Sequence, residues 1–154
     1  MGKYYYKKKF YKGSRDKYSV EQTFINGTVP SGTTTAVEVV PAVALQGMRK
    51  VKHLTINLSP NMEVSMFWAL FYLPQGMTAP AFTATSGAPL VEPNQYVMNC
   101  GVFDSDAGPQ RISSPVSRNL NSGDKIVLLL QPTGASGAGP WTVSGIVRYA
   151  ITLQ

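Results

Sequence analysis

The densest run of chemically useful side chains opens the chain. Residues 1–17 read MGKYYYKKKFYKGSRDK. Lys3, Lys7, Lys8, Lys9, Lys12, Arg15 and Lys17 supply seven cations against one acid, Asp16. Tyr4, Tyr5, Tyr6, Phe10 and Tyr11 are interleaved with them. Lysines neutralise phosphates and release counterions, which gives affinity without sequence preference. Aromatic rings offer flat faces to unstacked bases, worth roughly 1–3 kcal/mol per base. A duplex hides those base faces, so the mixture suits single strands. These twelve residues are the candidate nucleic-acid-binding set. A solvating tail is the plainer reading, but it has no need of three consecutive tyrosines. Lys7-Lys8-Lys9-Phe10 also fits a nuclear localisation signal, a short pattern with many chance matches.

Other groups carry weaker signals. Asp104 and Asp106 stand two residues apart before Gly108-Pro109. Paired carboxylates could hold a divalent cation or act as general acid and base. Asp and Ser in front of Gly-Pro are also ordinary turn chemistry, the plainer reading. His53 is the lone histidine and faces the polar side of a predicted strand, with no evident catalytic partner. Cys100 is the lone cysteine, so no intrachain disulfide can form; in an apolar strand it is expected to be a small buried hydrophobe. No Cys/His cluster suggests zinc. The expectation is a chain with no catalytic residue and no cofactor. Arg111, Arg118 and Arg148 either line a surface that meets nucleic acid or pair with nearby acids.

The 154-residue chain fits one domain. Its net charge is +6, and the first 17 residues account for all of it. The rest holds seven basic and seven acidic residues. A cationic arm on a neutral body points to a polyanionic partner, nucleic acid or a membrane surface. Charged residues are 14% of the chain, well below the usual ~25%, so much of the surface is expected to face other subunits. No apolar run is long enough to span a membrane, and no apolar segment follows the basic start as a secretory signal requires. The division expected is a basic arm over 1–17, extended or disordered in isolation, and a β body over 18–154.

The body reads as strands and turns. Residues 18–29 place Tyr18, Val20 and Phe24 on one face, and residues 34–43 place Val37, Val39 and Val43 on one face. Residues 50–58 alternate Leu54, Ile56 and Leu58 with His53, Thr55 and Asn57. Residues 64–73 are almost continuously apolar, which requires cover on both faces by the arm, a loop or a neighbour. A proline-rich loop over 74–95 is long enough to be functional or interfacial. Strands follow at 96–104, at 111–118 (carrying Ile112 and Val116), at 125–131 and at 141–153, with a Gly/Ala-rich loop at 133–139. Pro115 marks an edge or bulge. Eight short strands separated by Gly/Pro turns predict an all-β, eight-stranded antiparallel jelly-roll sandwich, a fold shared by viral capsids, lectins and cupins.

Five segments resemble one family. They are VKHLTINL (51–58), FWALFYLPQG (67–76), PLVEPNQYVMNCGVFDSDAGP (89–109), RISSPVSRNLNSGD (111–124) and VSGIVRYAITLQ (143–154). They resemble capsid proteins of circular, Rep-encoding single-stranded DNA viruses, the circovirus-like group. The likeness runs from about residue 50 to the end. It implies a jelly roll that self-assembles into a small icosahedral (T = 1) shell of about sixty copies, packages single-stranded DNA and is delivered to the host nucleus. The partners implied are the chain itself, viral DNA, a nuclear import receptor and a cell-surface receptor, without membrane insertion. The arm departs from the family's arginine-dominated pattern. That keeps open the capsids of small RNA satellite viruses, and a ligand-binding, lectin-like jelly roll is the non-viral alternative.

Overall fold

A computed structural model describes residues 18–153, apart from residues 45, 62, 84–85, 105–107, 116 and 134–138. Nine strands follow in chain order. They are β1 (Ser19–Val29), β2 (Thr35–Val40), β3 (Arg49–Asn61), β4 (Met66–Leu73), β5 (Val97–Phe103), β6 (Gln110–Ser114), β7 (Arg118–Leu120), β8 (Lys125–Pro132) and β9 (Trp141–Leu153). A single 3-10 turn, Asn94–Tyr96, precedes β5.

The pairing is nested. β1 pairs with β9, β2 with β8, β3 with β6 and β7, and β4 with β5, all antiparallel. The chain is therefore one long antiparallel ribbon with its tip between β4 and β5. Rolling that ribbon brings β9 beside β3 and β8 beside β4. Two sheets result, β1-β9-β3-β6 with β7 also on β3, and β2-β8-β4-β5. This is the jelly-roll order. The ninth strand is a correction of count only. Pro115 cannot donate to the ladder, and it splits the expected 111–118 strand into β6 and β7 on the same partner. Val116 lies outside the described residues.

Side chains on a strand alternate between faces. The facing sides of the two sheets form the main core, with Leu54, Ile56, Leu70, Leu128 and Val147 at its centre. In β3 the inward residues are Val51, then Leu54, Ile56 and Leu58, all buried. Val51 and Leu54 have opposite parity, so a regular strand could not bury both. The register shifts between Lys52 and Thr55, and His53 sits there at φ 54°. One extra residue is thus bulged out, and the inward set stays inward.

The outer face of β4 and β8 explains the apolar run over 64–73. Ala69, Phe71, Leu73, Val127 and Leu129 form a second buried cluster with Val91. The loop between β4 and β5 closes over it with Met77, Ala79, Phe82 and Leu90. Phe82 bridges to Val91, and Thr83 N–H donates to Leu90 O at 2.8 Å, so the loop is itself a small hairpin. Thr34 anchors it, accepting from Phe82 N–H at 3.0 Å and donating to Gln131 Oε1 at 2.6 Å. Each large side chain buried this way contributes about 1.5–3 kcal/mol. The cover expected for β4 is therefore this loop.

One expectation is completed and one is corrected. Tyr18, Val20 and Phe24 do share a parity, but Val20 and Phe24 point outward, 65% and 68% exposed. Ile25 and Val29 take the core instead. Cys100 is exposed rather than buried. It lies opposite Ala69, on the outer face of the edge strand β5.

Gly145 in β9 marks the tightest approach to β3. A Cβ there would collide with the Asn57 carbonyl oxygen and sit 2.9 Å from Leu58 Cδ2. Gly145→Ala should lower unfolding stability by about 1–3 kcal/mol in urea denaturation, as overpacking does. An unchanged midpoint would contradict the β3–β9 spacing.

Candidate nucleic-acid interface

Among the described residues no segment covers the outer face of the sheet β1-β9-β3-β6. Its register places residues in rows across the strands. Phe24, Ile146, Asn57 and Arg111 form one row. Gln22, Arg148, Thr55 and Ser113 form the next. Val20, Ala150 and Lys52 follow, and then Thr152, Lys50 and Asn119. Four cations therefore share the face. Arg111 and Arg148 are exposed, and Lys50 and Lys52 are half-buried.

No described carboxylate joins them. Two acids lie on strands. Glu21 lies opposite Tyr149 and faces the other way. Burial of Tyr149, and then the Glu21 charge, push the Tyr149 hydroxyl above its ordinary pKa. Glu38, on β2, pairs with Lys125. Glu63, Glu92 and Asp104 stand outside the strands. Parity turns Glu21 away from the face, and the other described acids lie on the second sheet or outside the strands.

The arm joins the body at the edge of this face. The Lys52 ammonium lies 4.7 Å from the centre of the Tyr18 ring, immediately before β1. The arm candidates themselves, Lys3, Tyr4, Tyr5, Tyr6, Lys7, Lys8, Lys9, Phe10, Tyr11, Lys12, Arg15 and Lys17, lie outside the described residues.

The three arginines of the body separate. Arg111 and Arg148 lie exposed on the open face. Arg118 instead stacks on the Tyr72 ring, 4.2 Å from its centre. It lines an open polar recess with Lys50, Ser117 and Asn119. Asp104 is exposed beyond β5, and its partner candidate Asp106 lies outside the described residues. Among the described residues no three His, Cys, Asp or Glu groups converge as a metal site. His53 is exposed at the bulge.

Sequence reasoning missed the role of Asp124. It is buried at one corner of the sandwich. Its carboxylate accepts from the Tyr72 hydroxyl at 2.6 Å, from Gln75 N–H at 3.0 Å and from Asn121 N–H at 2.8 Å. Its carbonyl accepts from Arg49 Nη2 at 3.0 Å, and the same nitrogen donates to Pro41 O at 3.1 Å. One residue thus ties the end of β4, the turn before β8 and the start of β3. Burial would raise the Asp124 pKa, but the hydrogen bonds from Tyr72, Gln75 and Asn121 outweigh it and hold the carboxyl below its ordinary 3.8. Burial and then the Asp124 carboxylate push the Tyr72 hydroxyl up to about 12, so it stays a donor at neutral pH. The segment RNLNSGD at 118–124 is therefore a structural corner. Its local signal is an Asp accepting from the backbone N–H three residues earlier.

No family model matches the chain, and no curated protein does. Solved structures give distant likenesses. A Desmodium yellow mottle tymovirus structure has 14% identity over 92% of both chains, with a TM-score of 0.41. An infectious bursal disease virus (Gx strain) structure has 10% identity over 90% of this chain and 32% of that one, with a TM-score of 0.42. Eiger TNF from S. frugiperda has 9% identity over 86% of this chain and 92% of that one, with a TM-score of 0.38. The fold assignment rests on strand order and register.

The Asp124 corner predicts a pH signature. A carboxyl held below its ordinary pKa stabilises the fold above that value, and the benefit is lost as pH falls through the folded-state pKa. Asp124→Asn should lose roughly 1–3 kcal/mol at pH 7 and show a flatter stability profile between about pH 5 and 2. Thermal melts across that range check it. An unchanged acid limb would contradict the corner's role.

Proposed function

We propose that the chain is a structural capsid subunit of a circovirus-like single-stranded DNA virus. It self-assembles into a small T = 1 shell and packages single-stranded DNA through residues 1–17. The observation that carries the reading is the junction at Tyr18. An arm holding the entire net charge of the chain joins the jelly roll at the margin of its cationic face, where no carboxylate points among the described residues. A shell of about sixty such subunits would bring on the order of 360 excess positive charges from the arms, enough to offset a few hundred phosphates. The chain has no catalytic role in this account. It resides in the virion and passes through the host nucleus, where a basic run such as Lys7-Lys8-Lys9 would engage an import receptor.

The lectin-like alternative does not explain the arm. Calcium or sugar recognition has no use for seven cations and five aromatics in 17 residues.

Removing residues 2–17 should leave the β circular-dichroism spectrum unchanged and weaken single-strand binding strongly. Seven cations on single-stranded DNA correspond to a log–log salt slope of about −5, so the slope should become shallower by about that much in fluorescence anisotropy titrations. Unchanged affinity and slope would refute the role of the arm. Changing Tyr4, Tyr5 and Tyr6 together to Ala should reduce the preference for single over double strands. An unchanged ratio would assign binding to charge alone.

A further inference from the structure

We propose that the outer face of β1-β9-β3-β6 is a second nucleic-acid surface, built into the fold, on which Phe24 stacks unpaired bases while Arg111, Arg148 and Lys52 hold the phosphates. The proposal rests on the packaging reading above and deepens it.

Phe24 is 68% exposed in the middle of an ordered strand, at the start of the row that ends in Arg111. Exposing a phenylalanine on a regular strand forgoes the burial that such a ring normally contributes. Its cross-strand partner, Ile146, is 51% exposed, so the ring stands beside an apolar floor rather than under a cover. Arg148 lies one row along the strands and Arg111 three strands across. Strands are about 4.8 Å apart and same-face residues along a strand about 7 Å apart. The aromatic and the two guanidinium-bearing positions therefore lie within about 7–15 Å, the span of two or three nucleotides of an extended single strand. Aromatics interleaved with cations along one surface are how sequence-tolerant single-strand sites are built.

Charge complementarity favours nucleic acid over a protein partner. The face carries four cations, and the one described carboxylate on its strands, Glu21, lies opposite Tyr149 and faces the other way. A second copy of this chain would bring those same four cations against them if it docked face to face. A polyanion brings the opposite charge, and Phe24 then selects strands whose bases are unpaired.

The test uses the full chain, with subunits kept below the concentration at which particles form. Phe24→Ala should bind a dT oligonucleotide about tenfold more weakly, the lower range of one lost base stack, with duplex affinity unchanged. The Arg111→Gln, Arg148→Gln double variant should lower the log–log salt slope by about 1.4, two phosphates at 0.7 each. All three side chains are exposed, so melting temperatures should stay near wild type. A bromodeoxyuridine oligonucleotide should photocross-link to the tryptic peptide spanning residues 18–49. Wild-type affinity and slope in both variants, with binding lost when Lys7, Lys8 and Lys9 are changed to Gln, would overturn the proposal and leave the arm reading intact. Variants that lose particle assembly but keep wild-type oligonucleotide affinity would assign the patch to contacts between copies and also overturn it. No binding by the wild-type chain would remove both.

Discussion

Every strand presents two faces, and each face needs an environment. That constraint organises this molecule. The inner faces of the two sheets supply the main core for each other. The outer face of β4 and β8 is as apolar as the inner one, so the loop from Pro74 onward folds back and buries it. The outer face of β1-β9-β3-β6 mixes four cations with exposed Val20, Phe24 and Ile146, and no described segment covers it. The bulge at His53 serves the same constraint, because without it Val51 and Leu54 could not both be inward.

The asymmetry between the two outer faces also divides labour. One outer face is covered by the chain's own loop. The other carries four cations and an exposed Phe24, and it lies where the charged arm begins. The Asp124 corner holds the geometry between them. It fixes β4, the turn before β8 and the start of β3, the strand that carries Lys50 and Lys52. The fold thus ties the cationic strand to the best-buried one.

Much of this was legible in the residues. Alternation in 50–58 identified β3 and its inward side, and the two-sided apolar run at 64–73 identified a doubly covered strand. What covers that run was not legible, because Met77, Phe82, Leu90 and Val91 follow no strand or helix period. The side taken by Phe24 was ambiguous because both parities of β1 carry apolar residues. It is decided across the sandwich, where Gly27 rather than a larger residue meets Val37. Cys100 lies in an apolar stretch, yet it faces outward from the edge strand. Arg148 could be placed from parity, since Val147 and Tyr149 point inward. Arg118 could not, because its partner Tyr72 is distant in sequence.

In the proposed reading this jelly roll assembles and encloses single-stranded nucleic acid. Negative-stain electron microscopy of the purified protein tests it most directly, with absorbance at 260 and 280 nm on the same fraction. The account predicts uniform small spheres with excess absorbance at 260 nm. A monomer free of nucleic acid across a range of salt concentrations would contradict it.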